Sequence, residues 1–398
     1  MGILLKKTKN KKTKHQIYLD CAATTRYKPP QVYKAVLNYA TQIGVSHSRG
    51  TYQSGIAANQ MIYELRSQLA KLFQVPRSER ILFTKNATEA LNMALKGYLQ
   101  TNDHVILSSL EHNAVIRPLN QLKKERAIEY TMISANSQGR LNPYEFEKAI
   151  QPKTKLICLV HASNVTGTIN PVEEVGNICS KHGIAFLVDA TQTAGSVPIN
   201  VQTMKIDFLA FTGHKSLMGP PGTGGLIVSP QIKLNSFLEG GTGSNSDKEE
   251  QPEIWPDKFE SGTLNYWGLS GLKAGVDFIL KKGVATIRLK EEQLVAYFLS
   301  ELKALSKIRI YGLPSGLEHQ RVPIVSLNIE GQDPSAVGYE LDQNYQIMVR
   351  VGLHCAPLAH RTIGSYPQGT IRFSFGYYNT VSDIRKAVEA LKIISAFN

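Results

Sequence analysis

An aspartate closes a strand-like run, Leu187-Val188-Asp189-Ala190-Thr191-Gln192, and 26 residues later Thr212-Gly213-His214-Lys215 closes another. In open α/β sheets ligands bind over the carboxyl ends of strands, so this carboxylate and this amine can meet over one site. A lysine that condenses with an aldehyde, and a carboxylate that keeps a pyridine nitrogen protonated, are the pair that pyridoxal phosphate chemistry needs. Lys215 fits the first role and Asp189 the second. Taken singly, an aspartate at a strand end is an ordinary helix cap and a His-Lys pair an ordinary surface feature; the weight lies in their conjunction with a phosphate site.

A phosphate needs exposed backbone N–H groups and hydroxyls. Thr84-Lys85-Asn86-Ala87-Thr88-Glu89-Ala90 supplies a strand-to-helix turn with Thr88 in the first helical turn. The same turn also reads as a plain Asn86 cap. Thr212 and His214, flanking Gly213, could add donors to the same dianion. Gly262-Thr263 lies too far along the chain to place by local reasoning. Cys355, in Arg350-Val351-Gly352-Leu353-His354-Cys355-Ala356-Pro357, falls in a Gly- and Pro-bracketed loop after a strand, where side chains face a cleft. A thiolate beside Arg350 and His354 could serve as a nucleophile, although adjacency in sequence does not establish contact.

The elements that must carry these groups alternate. From Arg80 onward, ILFT (81–84), HVILSS (104–109), KLICLV (155–160), AFLVDA (185–190), DFLAF (207–211) and GGLIV (224–228) are separated mostly by stretches of helical period. Near-continuous apolar strands between helices indicate a parallel sheet covered on both faces, a doubly wound α/β architecture. Asn142-Pro143 and Asn170-Pro171 open helices, and Gly183 closes the second. The Gly-, Ser-, Asn- and Pro-rich segment 240–255 reads as a functional loop, ordered or mobile. Helical patterns over 269–280 and 283–305 then lead to strands IVSLNI and QIMVR and a last helix from Ser382. The expected division is a basic arm over residues 1–15, a large domain over 16–282, and a small α+β domain over 283–398 that carries Cys355 and Arg372 and packs with the N-terminal segment.

With 398 residues, 42% hydrophobic and 19% charged, the chain is long enough for one large domain or two, and no run reaches the roughly 20 apolar residues of a membrane span. Of the formal net charge of +13, six lysines lie between Lys6 and Lys14, so nearly half the excess is one arm. It reads as a solvated tail, with a nucleic-acid tether as the minority alternative. The first five residues are too short for a secretory signal and Lys6 breaks a myristoylation pattern, so a cytoplasmic location is expected. Four cysteines, none at CxxC spacing, exclude a disulfide framework or a zinc site, and no metal is expected. Cys158 and Cys179 read as core residues.

Tyr18-Leu19-Asp20-Cys21-Ala22-Ala23-Thr24-Thr25, Asn86-Ala87-Thr88-Glu89-Ala90, Glu111-His112-Asn113, Ser163-Asn164-Val165-Thr166-Gly167, Asp189-Ala190-Thr191-Gln192, Gly213-His214-Lys215 and Arg350 to Cys355 occur in that order. In this, from about Ile17 to the C-terminus, the chain resembles the cysteine desulfurases of class V aminotransferase fold, nearest the Suf-type and selenocysteine-lyase-like branch. The resemblance implies the type I fold of pyridoxal phosphate enzymes, with a mostly parallel sheet in the large domain. It implies that His112 stacks on the cofactor ring and serves in proton transfer, and that Asn164 and Gln192 bond around its phenolic oxygen. Asp189 would pair with the ring nitrogen, Ala87, Thr88, Thr212 and His214 would hold the phosphate, and Lys215 would carry the cofactor. Gly262 and Thr263 would reach the neighbouring subunit's phosphate in a homodimer. Arg372 would clamp the substrate carboxylate, as a planar guanidinium does well, with Ala22, Asn164 and Arg350 beside it.

Cys355 corresponds to the persulfide-forming cysteine. Leu353 stands where Suf-type proteins commonly have a second histidine, and Thr212 replaces a frequent serine. The loop is short, which favours capture of the sulfur in a cleft by a sulfur-acceptor protein or a reductant. The implied activity takes L-cysteine to L-alanine with sulfur transferred to Cys355. Selenocysteine lyase acting on L-selenocysteine, a class V transaminase or C–S lyase, and a non-catalytic nucleic-acid binder using the lysine arm remain open from sequence.

Overall fold

Strands apolar on both faces must be covered on both, and this chain does so by following nearly every strand with a helix. The computed structural model describes residues 16–46, 52–245 and 247–396; the basic arm falls outside the described residues. The chain opens with β1 (Ile17–Tyr18), α1 (Pro30–Asn38) and α2 (Gln53–Phe73), then alternates β2 (Ile81–Thr84), α3 (Ala87–Tyr98), β3 (His104–Ser108), α4 (Asn113–Arg126), β4 (Glu129–Ile133), α5 (Pro143–Lys148), β5 (Thr154–Val160), α6 (Val172–His182), β6 (Ala185–Asp189), β7 (Phe208–Thr212) and β8 (Gly224–Val228). Two long helices, α7 (Tyr266–Lys282) and α8 (Val284–Leu302), lead into β9 (Ile308–Tyr311), β10 (Ile324–Ile329), α9 (Pro334–Tyr345), β11 (Ile347–Met348), β12 (Arg350–Gly352), α10 (Pro357–Thr362), β13 (Thr370–Ser374) and α11 (Val381–Ala396).

The central sheet has seven strands in the order β2-β8-β7-β6-β5-β3-β4. Side-chain alternation splits its core between two faces: Leu209 and Phe211 of β7 pack with α2, α6 and α7, while Phe208 and Ala210 pack with α3 and α4. Pairing is parallel from β4 through β7, but β8 runs antiparallel to both β7 and β2. The GGLIV run therefore departs from the parallel reading of the apolar strands. Only residues 213–223, with no helix, separate it from β7, too short a link for a parallel crossover. β4, half-buried at the sheet edge, carries too little apolar pattern to stand out in sequence.

A second, antiparallel sheet of order β12-β13-β10-β9 packs on α8, α9 and α11. The QIMVR run does not form one strand. It divides at Val349 because its halves pair with different partners, β11 with β1 and β12 with β13. Ile17 and Leu19 thus enter the core formed by α8, β10, β13 and α11. Segment 240–255 is irregular, without a helix or strand among its described residues. No described helix is long and apolar enough to cross a membrane.

Candidate active site

Asp189 ends β6 between Val160 of β5 and Ala210 of β7, and its Oδ1 accepts the Thr191 N–H at 2.9 Å. Lys215 follows the end of β7 through a tight turn in which Gly213 donates to the Thr223 carbonyl (2.8 Å) and Gly219 donates to the Gly213 carbonyl (2.7 Å). A Cβ at position 213 would collide with the Thr223 hydroxyl, so glycine is required there. Burial, reinforced by the Arg372 guanidinium and opposed by Asp189, pulls the Lys215 ammonium down to about 8. Among the described residues its amine makes no ion pair.

At the start of α3 the Asn86 side chain caps the Glu89 N–H (3.0 Å). The cap and an anion site are compatible, since the Ala87 and Thr88 amides have no acceptor within the helix. β8 approaches this turn so closely that a side chain at Gly224 would strike the Asn86 backbone. His214 shares a hydrogen bond with the Thr24 hydroxyl (3.0 Å), and burial, with Lys215 and Lys28 nearby, lowers it to about 4. It is therefore a neutral ring at physiological pH.

His112 is the N-cap of α4, where its Nδ1 accepts the Ala114 N–H at 3.0 Å. Burial lowers its pKa, and a neutral ring held in this way carries its proton on Nε2. So held, His112 can donate a hydrogen bond but has no free lone pair with which to take a proton. Its neighbour Glu111 is fully buried: Oε1 accepts from the Ser108 hydroxyl (2.6 Å) and the Val160 amide (2.9 Å), while Oε2 has no partner. Burial above all, with a smaller contribution from Asp189, pushes its carboxyl up to about 8. Glu111 thus ties the end of β3 to the end of β5 and fixes the turn that presents His112.

The opposite wall comes from the C-terminal sheet. Arg372 is buried; its Nη2 donates to Asp20 Oδ1 (3.0 Å) and its Nη1 to the Asn164 carbonyl (3.1 Å), and Nε has no partner among the described residues. Arg350 Nε also reaches Asp20 (3.1 Å), so one carboxylate faces two guanidiniums and the wall keeps a net positive charge. Asn164 donates to the His354 carbonyl (2.7 Å), the Asn113 amide donates to the Cys355 carbonyl (2.9 Å), and Gln192 donates to the Ala22 carbonyl (3.2 Å). Cys355 is exposed, with φ at +57°, whereas Cys158 and Cys179 are buried.

Apart from Gly262 and Thr263, every site residue expected from sequence lines one cavity of about 260 Å³. Gly262 and Thr263 lie outside it, exposed. Two residues without an assigned role in the sequence reading now have one: Asp20, partner of both arginines, and Glu111. Asp20 pairs with residues at least 330 positions away, a relation no local pattern carries. The lining suits an anionic aldehyde cofactor, with a free amine beside a carboxylate, unpaired helix amides, and an orphaned Thr191 hydroxyl and Arg372 Nε. Among the described residues no cluster could hold a metal ion.

The aminotransferase class-V family profile matches residues 17–387. A probable cysteine desulfurase from Methanothermobacter thermautotrophicus is 33% identical over 386 residues, covering 95% of this chain and 94% of the relative. A cysteine desulfurase from Escherichia coli O127:H6 is 31% identical, covering 95% and 93%. Among solved structures, an apo cysteine desulfurase from Thermococcus onnurineus NA1 superposes with a TM-score of 0.89 at 31% identity, covering 96% of this chain and 95% of that one.

Proposed function

The chain belongs to the class-V aminotransferase family, and we propose that it is a pyridoxal phosphate-dependent cysteine desulfurase, producing L-alanine from L-cysteine and a persulfide on Cys355. The observation that carries this reading is a single cavity lined by a cofactor-type lysine and carboxylate, Lys215 and Asp189, and by an exposed thiol, Cys355. When bound, the cofactor supplies an electron sink for the substrate's Cα. Its phosphate would lie against the Ala87 and Thr88 amides, Thr212 and His214, its ring nitrogen against Asp189, its face against His112, and its aldehyde carbon at Lys215. In a dimer, the exposed Gly262 and Thr263 are free to reach the phosphate of a second copy.

The residues of the chain divide the work. Arg372 and Arg350 draw the substrate carboxylate, and the planar Arg372 fork fixes its orientation. The buried Lys215 amine, whose ammonium is pulled down to about 8 in the empty cavity, is the base placed to take the Cα proton. His112, its Nδ1 engaged, offers Nε2–H as a hydrogen-bond donor rather than acting as a base. Cys355 attacks the substrate sulfur: the Cβ–S and Cys355 S–H bonds break, and an S–S and a Cβ–H bond form. Sulfur is oxidised and Cβ reduced, with no outside oxidant. Without any thiol besides the substrate, the cofactor-loaded protein should give a burst of one equivalent of alanine per chain, and Cys355→Ala should give none while still binding the cofactor. A keto acid in place of alanine would identify a transaminase instead.

A further inference from the structure

Resting on the desulfurase reading, the question is how sulfur leaves Cys355. Cys355 and His112 line not only the active-site cavity but also a second, more open groove of about 340 Å³ beside α3 and α4. Its two banks are helix faces. Thr88, Asn92 and Lys96 stand four residues apart along α3, and Asn113, Arg117 and Gln121 four apart along α4, on helices packed side by side. Both helices begin at the carboxyl ends of their strands, so both partly positive N-termini lie at the Cys355 end.

Among the described residues no acidic side chain lines this groove. Lys96 and Arg117 have no ion-pair partner among the described residues. Lys96 stands 5.6 Å from the Phe237 ring centroid, a contact that leaves its charge uncompensated. At 1.5 Å per residue, Arg117 lies about 6 Å and Lys96 about 12 Å along the helices from the thiol end. Among the described residues the groove offers no Trp, Tyr, Phe or large aliphatic anchor of the kind that dominates protein interfaces, and its volume is that of a small-molecule site.

We propose that this groove is the acceptor site for persulfide sulfur, and that it takes a small thiol bearing more than one carboxylate. The acceptor thiolate attacks the outer sulfur of the Cys355 persulfide. The S–S bond breaks, its electron pair returns to Cys355 as the thiolate, and a new S–S bond forms on the acceptor. The exchange is balanced without a further oxidant or reductant.

The test compares steady-state alanine production by the holoenzyme, above the rate with L-cysteine alone, using mercaptosuccinate, 2-mercaptoethanol and cysteamine at equal thiolate concentration. Wild type should favour mercaptosuccinate over 2-mercaptoethanol by about fivefold at low salt, the combined effect of two exposed charge pairs, and added salt should erase the preference. Lys96→Glu with Arg117→Glu should reverse the order toward cysteamine while leaving the single-turnover burst of alanine unchanged. A normal burst with a preference indifferent to charge reversal overturns the acceptor site alone. An absent burst in wild type overturns the desulfurase reading, and the acceptor site with it. Should the double variant not fold, the wild-type salt series decides.

Discussion

Asp189 and Lys215 stand at the ends of strands in the middle of a seven-stranded sheet, covered on both faces, whereas Cys355 stands on a loop after a three-residue strand at the edge of the smaller sheet. The first pair is held by the core itself. The thiol is held by a few hydrogen bonds, through Asn164, Asn113 and the His354–Thr370 contact (3.0 Å), and both His354 and Cys355 adopt the left-handed backbone that non-glycine residues seldom occupy. Each such residue stores on the order of 1 kcal/mol of strain. The side of the site that carries the amine and its carboxylate is built into the central sheet. The side that accepts and releases sulfur rests on local contacts and opens to the surface.

Lys215→Ala breaks the sheet-built side most directly. Turnover should fall at least a thousandfold with the fold intact, as for removal of one member of a catalytic unit, read by alanine production and circular dichroism. Next is the charge that holds the arginine wall together. Asp20→Asn leaves Arg350 and Arg372 without their shared carboxylate, so stability should drop by about 2 kcal/mol in thermal denaturation, discounted for the partial exposure of Arg350, and the KM for cysteine should change more than kcat. Thr370→Val removes the hydrogen bond to the His354 ring and should slow persulfide formation by about tenfold while leaving cofactor absorbance in place. If it disturbed the cofactor band as much as the thiol step, the two sides would not be separable.

The smallest effect is in pH. Only the neutral amine condenses with an aldehyde, so capture of pyridoxal by the cofactor-free protein should rise with pH through a midpoint near 8, well below the 10.5 of a free lysine. Glu111 is also shifted to about 8, and Glu111→Gln should leave this midpoint in place if Lys215 sets it.

The same contrast governs what the sequence discloses. Asp189 and Lys215 are legible because strand ends and their apolar runs are local patterns, and the motif series that carries the family resemblance covers the rest of the floor. Asp20 stands within a quoted motif, but its role depends on Arg350 and Arg372 arriving from the other end of the chain. The division of residues 346–350 between two sheets depends likewise on β1 as a pairing partner, and the direction of β8 on how short its link to β7 turns out to be. Local periodicity contains none of these partners.

The central claim is that amine and thiol serve one substrate. Its most direct measurement is peptide mapping by mass spectrometry after a single turnover with one equivalent of L-cysteine. The account predicts one added sulfur atom on the peptide carrying Cys355, none on those carrying Cys21, Cys158 or Cys179, and alanine in equal amount. Sulfur on another cysteine, or alanine formed at the wild-type rate by Cys355→Ala, would contradict it.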